Sequence, residues 1–327
     1  MRSRTRKGLV LVSVFTFAAG MTLVSNAATW NYYSGYVQKT QDLVTSQQKK
    51  ETTGSATNWA EYVEDNRKLT LGETMDYFFS ELKRGLCGRR MLFSMAVCIV
   101  CLITAGNEDI AFPTVDFLDV MMSALTDSTY ALLVFLFPVL VCIPFSLTWR
   151  EEVESGYYYL AIGKLGEKKY RVVKAAVNVI CGIFSFLLPC IVYYLAILAV
   201  KGTDLSDSVN HAYNFWEDLR EARPVLYGWV LVLNTGVCGA VFSSLGLGIS
   251  TWVPNKYVAC LLPLCFYIFS GAVLIDVNPY WNAVTLYSLN EYNATEPFYI
   301  LIYDVLLFTA GLVLFVSGDR RYRRDAG

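Results

Sequence analysis

Histidine is all but missing from this chain: one, His211, stands in 327 residues. Imidazole carries much of the acid–base catalysis and metal ligation done near neutral pH, so both chemistries have almost no material here. No G-x-x-x-x-G-K-[ST] stretch occurs anywhere, which excludes a phosphate loop of that kind and with it ATP hydrolysis by this chain alone. Net charge is nearly absent too. The 27 Lys plus Arg are balanced by 28 Asp plus Glu, so no bulk field draws nucleic acid. The apolar stretches hold no paired carboxylates, histidine cluster or activated nucleophile, which argues against an intramembrane enzyme. No catalytic, cofactor-binding or metal-ligating set is expected.

What is present is apolar. Hydrophobic residues make up 55% of the chain and aromatics 15%, above an ordinary globular composition, and this points to a membrane protein. Eight of the nine cysteines (Cys98, Cys101, Cys142, Cys181, Cys190, Cys238, Cys260 and Cys265) fall inside apolar runs and read as small buried hydrophobes rather than a disulfide framework. A helix needs about 20 mainly apolar residues to cross a bilayer. Seven stretches qualify as candidates: 8–28, 88–106, 129–148, 173–200, 226–252, 257–275 and 298–317, of which 88–106 is the shortest in apolar length.

Charge in the connectors sets an expected orientation. Lys83, Arg84, Arg89 and Arg90 precede the second stretch, Arg150 to Lys174 form one basic loop, and Arg320, Arg321, Arg323 and Arg324 follow the last. Connectors 107–128 and 276–297 contain no Lys or Arg, and 201–225 has only Lys201, Arg220 and Arg223. The basic regions are expected in the cytoplasm and the others outside. From residue 88 onward this alternation is consistent with six helices whose two ends are both cytoplasmic.

The amino-terminal region breaks that parity. Residues 1–28 form a basic start followed by a hydrophobic helix, anchor-like or signal-like, and "SNA" before Ala28 resembles a signal-peptidase site. If 8–28 crosses outward, the basic cluster 83–90 falls on the wrong side. An entry with the amino terminus outside, a surface-lying first helix, a dip rather than a crossing at 88–106, or processing would each restore consistency. Residues 29–72 read as a polar linker. Thr70 and Glu73 match a capping box, and Met75, Phe78, Phe79, Leu82 and Leu86 then share one face of an expected interfacial helix. A second amphipathic piece, "TVDFLDVMMSAL" at 114–125, is expected on the outer surface.

The sharpest feature is "WREEVESGYYYLAIGKLGEKKYRVVKAA". It gathers Arg150, Glu151, Gly156, Tyr157, Lys169, Tyr170 and Lys174 between two apolar runs. One or two short helices are expected there, with Gly163 and Gly166 breaking the run. Such a segment can present aromatics to a partner while its charges select that partner; alternatively it is a solvated loop that only sets topology.

The stretches "FFSELKRGLCGRRMLF", "LLVFLFPVLVCIPFSLTWREEVESGYYYLAIGKLGEKKYRVVKAA" and the closing "SGDRRYRR" resemble the membrane subunits of type-2 ABC exporters, in particular small permeases of Gram-positive bacteria. The likeness covers residues 73–324 and rests on helix count and loop placement. It implies an all-α, polytopic helical membrane protein with a six-helix permease domain at 73–327, preceded by the extra hydrophobic helix. It further implies a multi-pass plasma-membrane subunit of an ATP-driven exporter with a cytoplasmic C-terminus. Its partners would be a separate ABC ATPase subunit, which binds the ATP and docks on loop 149–174, a second permease subunit in a homo- or heterodimer, and membrane lipid. The outer connector 276–297 would form short helices re-entering the outer leaflet, with Tyr280, Trp281 and Tyr287 at the interface. The rival reading is a membrane interaction, immunity or sensor protein that moves no solute.

Two polar groups inside the apolar stretches are candidates for a path or for packing. Asp304 either lines a substrate route or sits in an interfacial aromatic belt with Tyr299 and Tyr303. Asn234, near Gly236, Gly239 and Ala240, suits an interhelical hydrogen bond. Asn293-Ala-Thr295 matches a glycosylation acceptor and is given no role.

Overall fold

The computed structural model describes residues 71–112, 115–126, 132–203, 216–289 and 297–326. The expected amino-terminal helix 8–28, nearly all of the linker 29–72, Thr70, His211 and Asn293–Thr295 lie outside the described residues. Helices account for nearly all of the described chain, and no strand occurs among those residues. In order they are α1 (Leu71–Leu86), α2 (Arg89–Ala111), α3 (Phe117–Thr126), α4 (Leu132–Cys142), α5 (Thr148–Glu154), α6 (Tyr157–Leu165), α7 (Glu167–Lys201), α8 (Glu217–Ala222), α9 (Pro224–Ser250), α10 (Lys256–Phe269), α11 (Val284–Ser288) and α12 (Pro297–Ala326). The chain divides into two compact units. The larger comprises residues 77–151 and 171–327, and the described part of the smaller comprises 71–76 and 152–170.

Five described segments are long and apolar enough to cross a membrane: Arg89–Asn107, Glu167–Lys201, Pro224–Ser250, Lys256–Val277 and Phe298–Arg324. Of the stretch expected to span at 129–148, residues 132–148 are described: α4 runs to Cys142 and 143–147 form turns, in which Ile143 N–H still donates to Val139 O and Ser146 N–H to Cys142 O, both at 3.2 Å. The described part of α4 is apolar on all sides and largely buried.

α9 is the hub of the larger unit. Its apolar window is 72% buried, against 22–44% for the other four long helices, and no charged residue interrupts it. Its longest pairing is with α12, and it also meets α4, α10 and α11. Small residues allow the approach: a Cβ on Gly239 would stand 2.4 Å from Gly182 O of α7, and one on Gly311 of α12 would stand 2.6 Å from the Ser244 backbone. Around α4 the aromatic core gathers on Phe137. Its ring stacks on Tyr287 at 4.7 Å and meets Phe186 and Phe242 edge-on at 4.9 and 5.2 Å.

Several expectations are corrected here. The segment read as a surface helix, α3, is buried on all sides: Phe117, Leu118, Val120, Met121, Met122, Ala124 and Leu125 are at most 2% exposed, and Asp119 is wholly enclosed. Its apolar residues surround the whole helix rather than one face, and Asp116 Oδ1 accepts from Asp119 N at 2.8 Å to close its first turn. In α1, Phe78, Leu82 and Leu86 pack with Tyr77 against Phe145, Val173, Val177 and Cys181, whereas Met75 and Phe79 are exposed. Tyr287 lies in the core, unlike the exposed Tyr280 and Trp281 of the same connector. Cys265 is exposed rather than buried. Gly163 lies inside α6 and only Gly166 ends that helix.

Candidate docking loop

Residues 152–170 comprise the end of α5, a turn, the helix α6, a second turn and the first residues of α7. Gly156 makes the first turn at φ 76°, ψ −5°, left-handed backbone that only glycine adopts freely, and its N–H donates to Val153 O at 3.2 Å. Gly166 makes the second at φ 77°, with its N–H donating to Ile162 O at 2.8 Å. A Cβ at Gly156 would meet nothing within 4 Å, so Gly156→Ala carries the backbone cost alone, about 1–2 kcal/mol. Circular dichroism should show the helices kept, with a lower melting temperature.

α6 has two faces set by helical spacing. Tyr158, Ala161 and Leu165 are buried, and Tyr159, Leu160, Gly163 and Lys164 are exposed. The exposed strip continues through Glu167, Lys168 and Lys169. Inside the loop Tyr170 Oη donates to Glu152 Oε2 at 2.6 Å, and the Tyr158 ring meets the Tyr170 ring edge-on at 5.5 Å. Both Tyr170 and Glu152 are fully buried, so this hydrogen bond to a carboxylate closes the loop on itself. Of the residues singled out from the sequence, Tyr170 and Lys174 are turned inward, Arg150, Glu151, Gly156 and Tyr157 are half-buried, and Lys169 is exposed. The exposed Tyr159 and Leu160 escaped the sequence reading. Their position three and four residues after Gly156 becomes informative only when α6 is known to be a helix.

Within the larger unit the stems of this loop are clamped by charge. Arg90 grips Glu151 through two hydrogen bonds, at 2.8 and 2.9 Å. Lys174 Nζ donates to Glu81 Oε2 at 2.9 Å, Arg84 pairs with the same oxygen at 2.7 Å, and the Lys174 ammonium lies 4.7 Å from the Phe145 ring centroid. Asp319 near the end of α12 is wholly buried; Trp149 Nε1 donates to it at 3.3 Å, and Arg171 and Arg323 approach it at 3.6 and 3.4 Å. Basic residues from three separate stretches, Arg84 and Arg90, Arg171 and Lys174, and Arg323, are thus each paired with Glu81, Glu151 or Asp319. Glu81 and Asp319 were not among the sequence candidates. Their signal is an acid set among bases, in "SELKR" and "SGDRRYRR".

Away from these groups Lys201 at the end of α7 donates to Asp109 O and Phe112 O at 3.2 and 2.6 Å, tying the end of α7 to the end of α2. Asn234 Nδ2 donates to Leu286 O at 2.8 Å, and the Cys238 thiol meets the same carbonyl at 3.2 Å. These bonds hold the short helix α11 against α9, the packing role expected for Asn234. Asp304 is 6% exposed.

Five long apolar helices packed through small residues, with aromatics inside and on the outward faces, define a helical, multi-pass membrane protein. No known family model, no curated protein and no solved structure matches the chain.

Proposed function

We propose that this protein is the membrane subunit of an ATP-driven exporter of the ABC type, seated in the plasma membrane with its C-terminus in the cytoplasm. In this reading the chain forms the translocation path with a second permease subunit, and residues 149–174 couple it to a separate ATPase. The observation that carries the reading is the two-faced helix α6. Its inner face is locked by Tyr158, and the loop by the Tyr170–Glu152 bond, while Tyr159, Leu160, Lys164, Lys168 and Lys169 are left exposed. A loop whose only task was to set topology has no use for a tyrosine and a leucine on its solvent face; a groove-filling contact does. Lysines around an apolar centre add charge selection at the rim. The residues flanking the loop on either side are themselves held by charge, Glu151 by Arg90 and Lys174 by Glu81.

The test is affinity purification of tagged full-length protein from native membranes. Wild type is compared with a Tyr159→Ser plus Leu160→Asp variant, which alters only exposed side chains. An ATPase recovered with wild type and reduced at least tenfold with the variant is the expected result. If no ATPase accompanies wild type, the exporter reading fails and a non-transporting interaction, immunity or sensor role takes its place.

A further inference from the structure

The turn that follows α9 is held against the end of α12. Trp252 Nε1 donates to Leu314 O at 3.0 Å, and Thr251 Oγ1 donates to the same carbonyl at 3.4 Å. Gly318 permits this approach, since a Cβ there would stand 2.6 Å from Thr251 Cβ and 2.8 Å from Trp252 Nε1. With the indole oriented by its own N–H, the Arg321 guanidinium lies over its ring, 5.1 Å from the centroid.

Trp252 marks a boundary on the surface, where it is 43% exposed. On one side of it α12 presents apolar side chains: Leu306 and Val313 are 60% and 59% exposed. They precede Arg320 by two heptads and one, so all three lie on the same side of the helix. On the other side the surface is basic. Arg320, Arg321 and Arg324 are exposed and fall within an arc of about 100° around α12. Arg323, turned away from them, pairs with the buried Asp319 at 3.4 Å. The turn and the start of α10, residues 251–258, contain no Asp or Glu. An aromatic ring between an apolar strip and a basic one is the arrangement a helix end presents at the level of lipid headgroups.

We propose that this patch binds the headgroup of an anionic phospholipid, with Arg320, Arg321 and Arg324 taking the phosphate and Trp252 lying beside the glycerol and upper acyl chain. Guanidinium forks match phosphate oxygens, and basic groups at a helix end favour anionic over neutral lipid. The arginines give the occupant its charge, and the apolar strip of α12 that runs up to them makes it a lipid. A soluble phosphate would use the arginines alone and leave Trp252, Leu306 and Val313 without a role. The site goes beyond the exporter reading and does not depend on it.

The probes are dioleoylphosphatidylglycerol and dioleoylphosphatidylcholine, which share acyl chains and differ in headgroup charge. Native mass spectrometry of the purified full-length chain in detergent, supplied with both lipids in equal amount, reads the ratio of the two bound forms. The expected result is a preference for the anionic lipid of at least fivefold in wild type. That preference should fall at least threefold in Arg320→Gln plus Arg321→Gln plus Arg324→Gln and persist in Lys83→Gln plus Arg89→Gln, which removes exposed charge elsewhere. No preference in wild type, an unchanged preference in the triple variant, or an equal loss in the Lys83 and Arg89 variant overturns the site. Excess inorganic phosphate should leave the preference intact; its abolition would identify a soluble phosphate as the occupant and overturn the lipid site. A second readout uses wild type alone in phosphatidylcholine nanodiscs. Phosphatidylglycerol carrying a diazirine next to its headgroup must label residues 251–258 or 313–324 at least threefold more than the matching phosphatidylcholine probe. Equal labelling overturns the site even if the triple variant fails to fold. No ATPase takes part in these experiments, so their failure is distinct from failure of the co-purification that tests the exporter reading.

Discussion

Glu81→Ala is expected to destabilise the larger unit by about 3–5 kcal/mol, because it strips the counter-charge from a buried ammonium. The Lys174 side chain is 0% exposed and that of Glu81 5% exposed, so neither charge has water to fall back on. Arg84 Nη2, 2.7 Å from the same carboxylate oxygen, would then repel Lys174 with nothing between them. The Phe145 ring face, 4.7 Å from Nζ, contributes about 0.5–2 kcal/mol and does not replace the carboxylate. Urea or thermal unfolding of the full-length chain in detergent, followed by circular dichroism, measures the loss. The double change Glu81→Leu plus Lys174→Met should be much less damaging than Glu81→Ala, since it removes both charges at similar volume. A double variant as unstable as the single one would show that the ion pair is not what matters.

Gly311→Leu is the second change expected to act strongly. A Cβ at Gly311 would stand 2.6 Å from Ser244 C, 2.7 Å from Leu245 N and 2.8 Å from Ser244 O. These are backbone atoms of α9, which cannot rotate out of the way as a side-chain end can. The two helices must separate along their longest pairing, and the same seam carries Gly248, whose Cβ would stand 2.4 Å from Gly311 O. Overpacking in a tight interior costs about 1–3 kcal/mol and sometimes more, and a leucine against backbone belongs at the upper end. Gly163→Leu is the matched control, since a Cβ there meets nothing within 4 Å. Melting temperatures of the two variants in one detergent should differ by several degrees, with Gly311→Leu the lower; equal values would contradict the close crossing.

The clamp and the crossing also show what a pattern in the chain conveys. Five of the six stretches read as spans from residue 88 onward fall on long apolar helices, in α2, α7, α9, α10 and α12. Hydropathy is a sum over neighbours in sequence, and that sum is what a bilayer tests. The same reasoning failed at α3, where the two aspartates Asp116 and Asp119 suggested a wet face although both are buried. For the loop the residues were found but half of their roles were not. Tyr157 and Tyr170 drew notice as tyrosines among charges, yet burial assigns the outward positions to Tyr159 and Leu160.

By itself, the sequence determined that this is an α-helical membrane protein with a charged loop between apolar runs, because those properties follow from composition and period within short windows. Only the tertiary structure decided which charges are paired. Arg90 finds Glu151 across 61 residues, Lys174 finds Glu81 across 93, and Trp149 finds Asp319 across 170. It also left Asp304 buried, at 6% exposure. Pairing and burial are set by which helix faces meet, a property of long-range packing that no window of the chain contains.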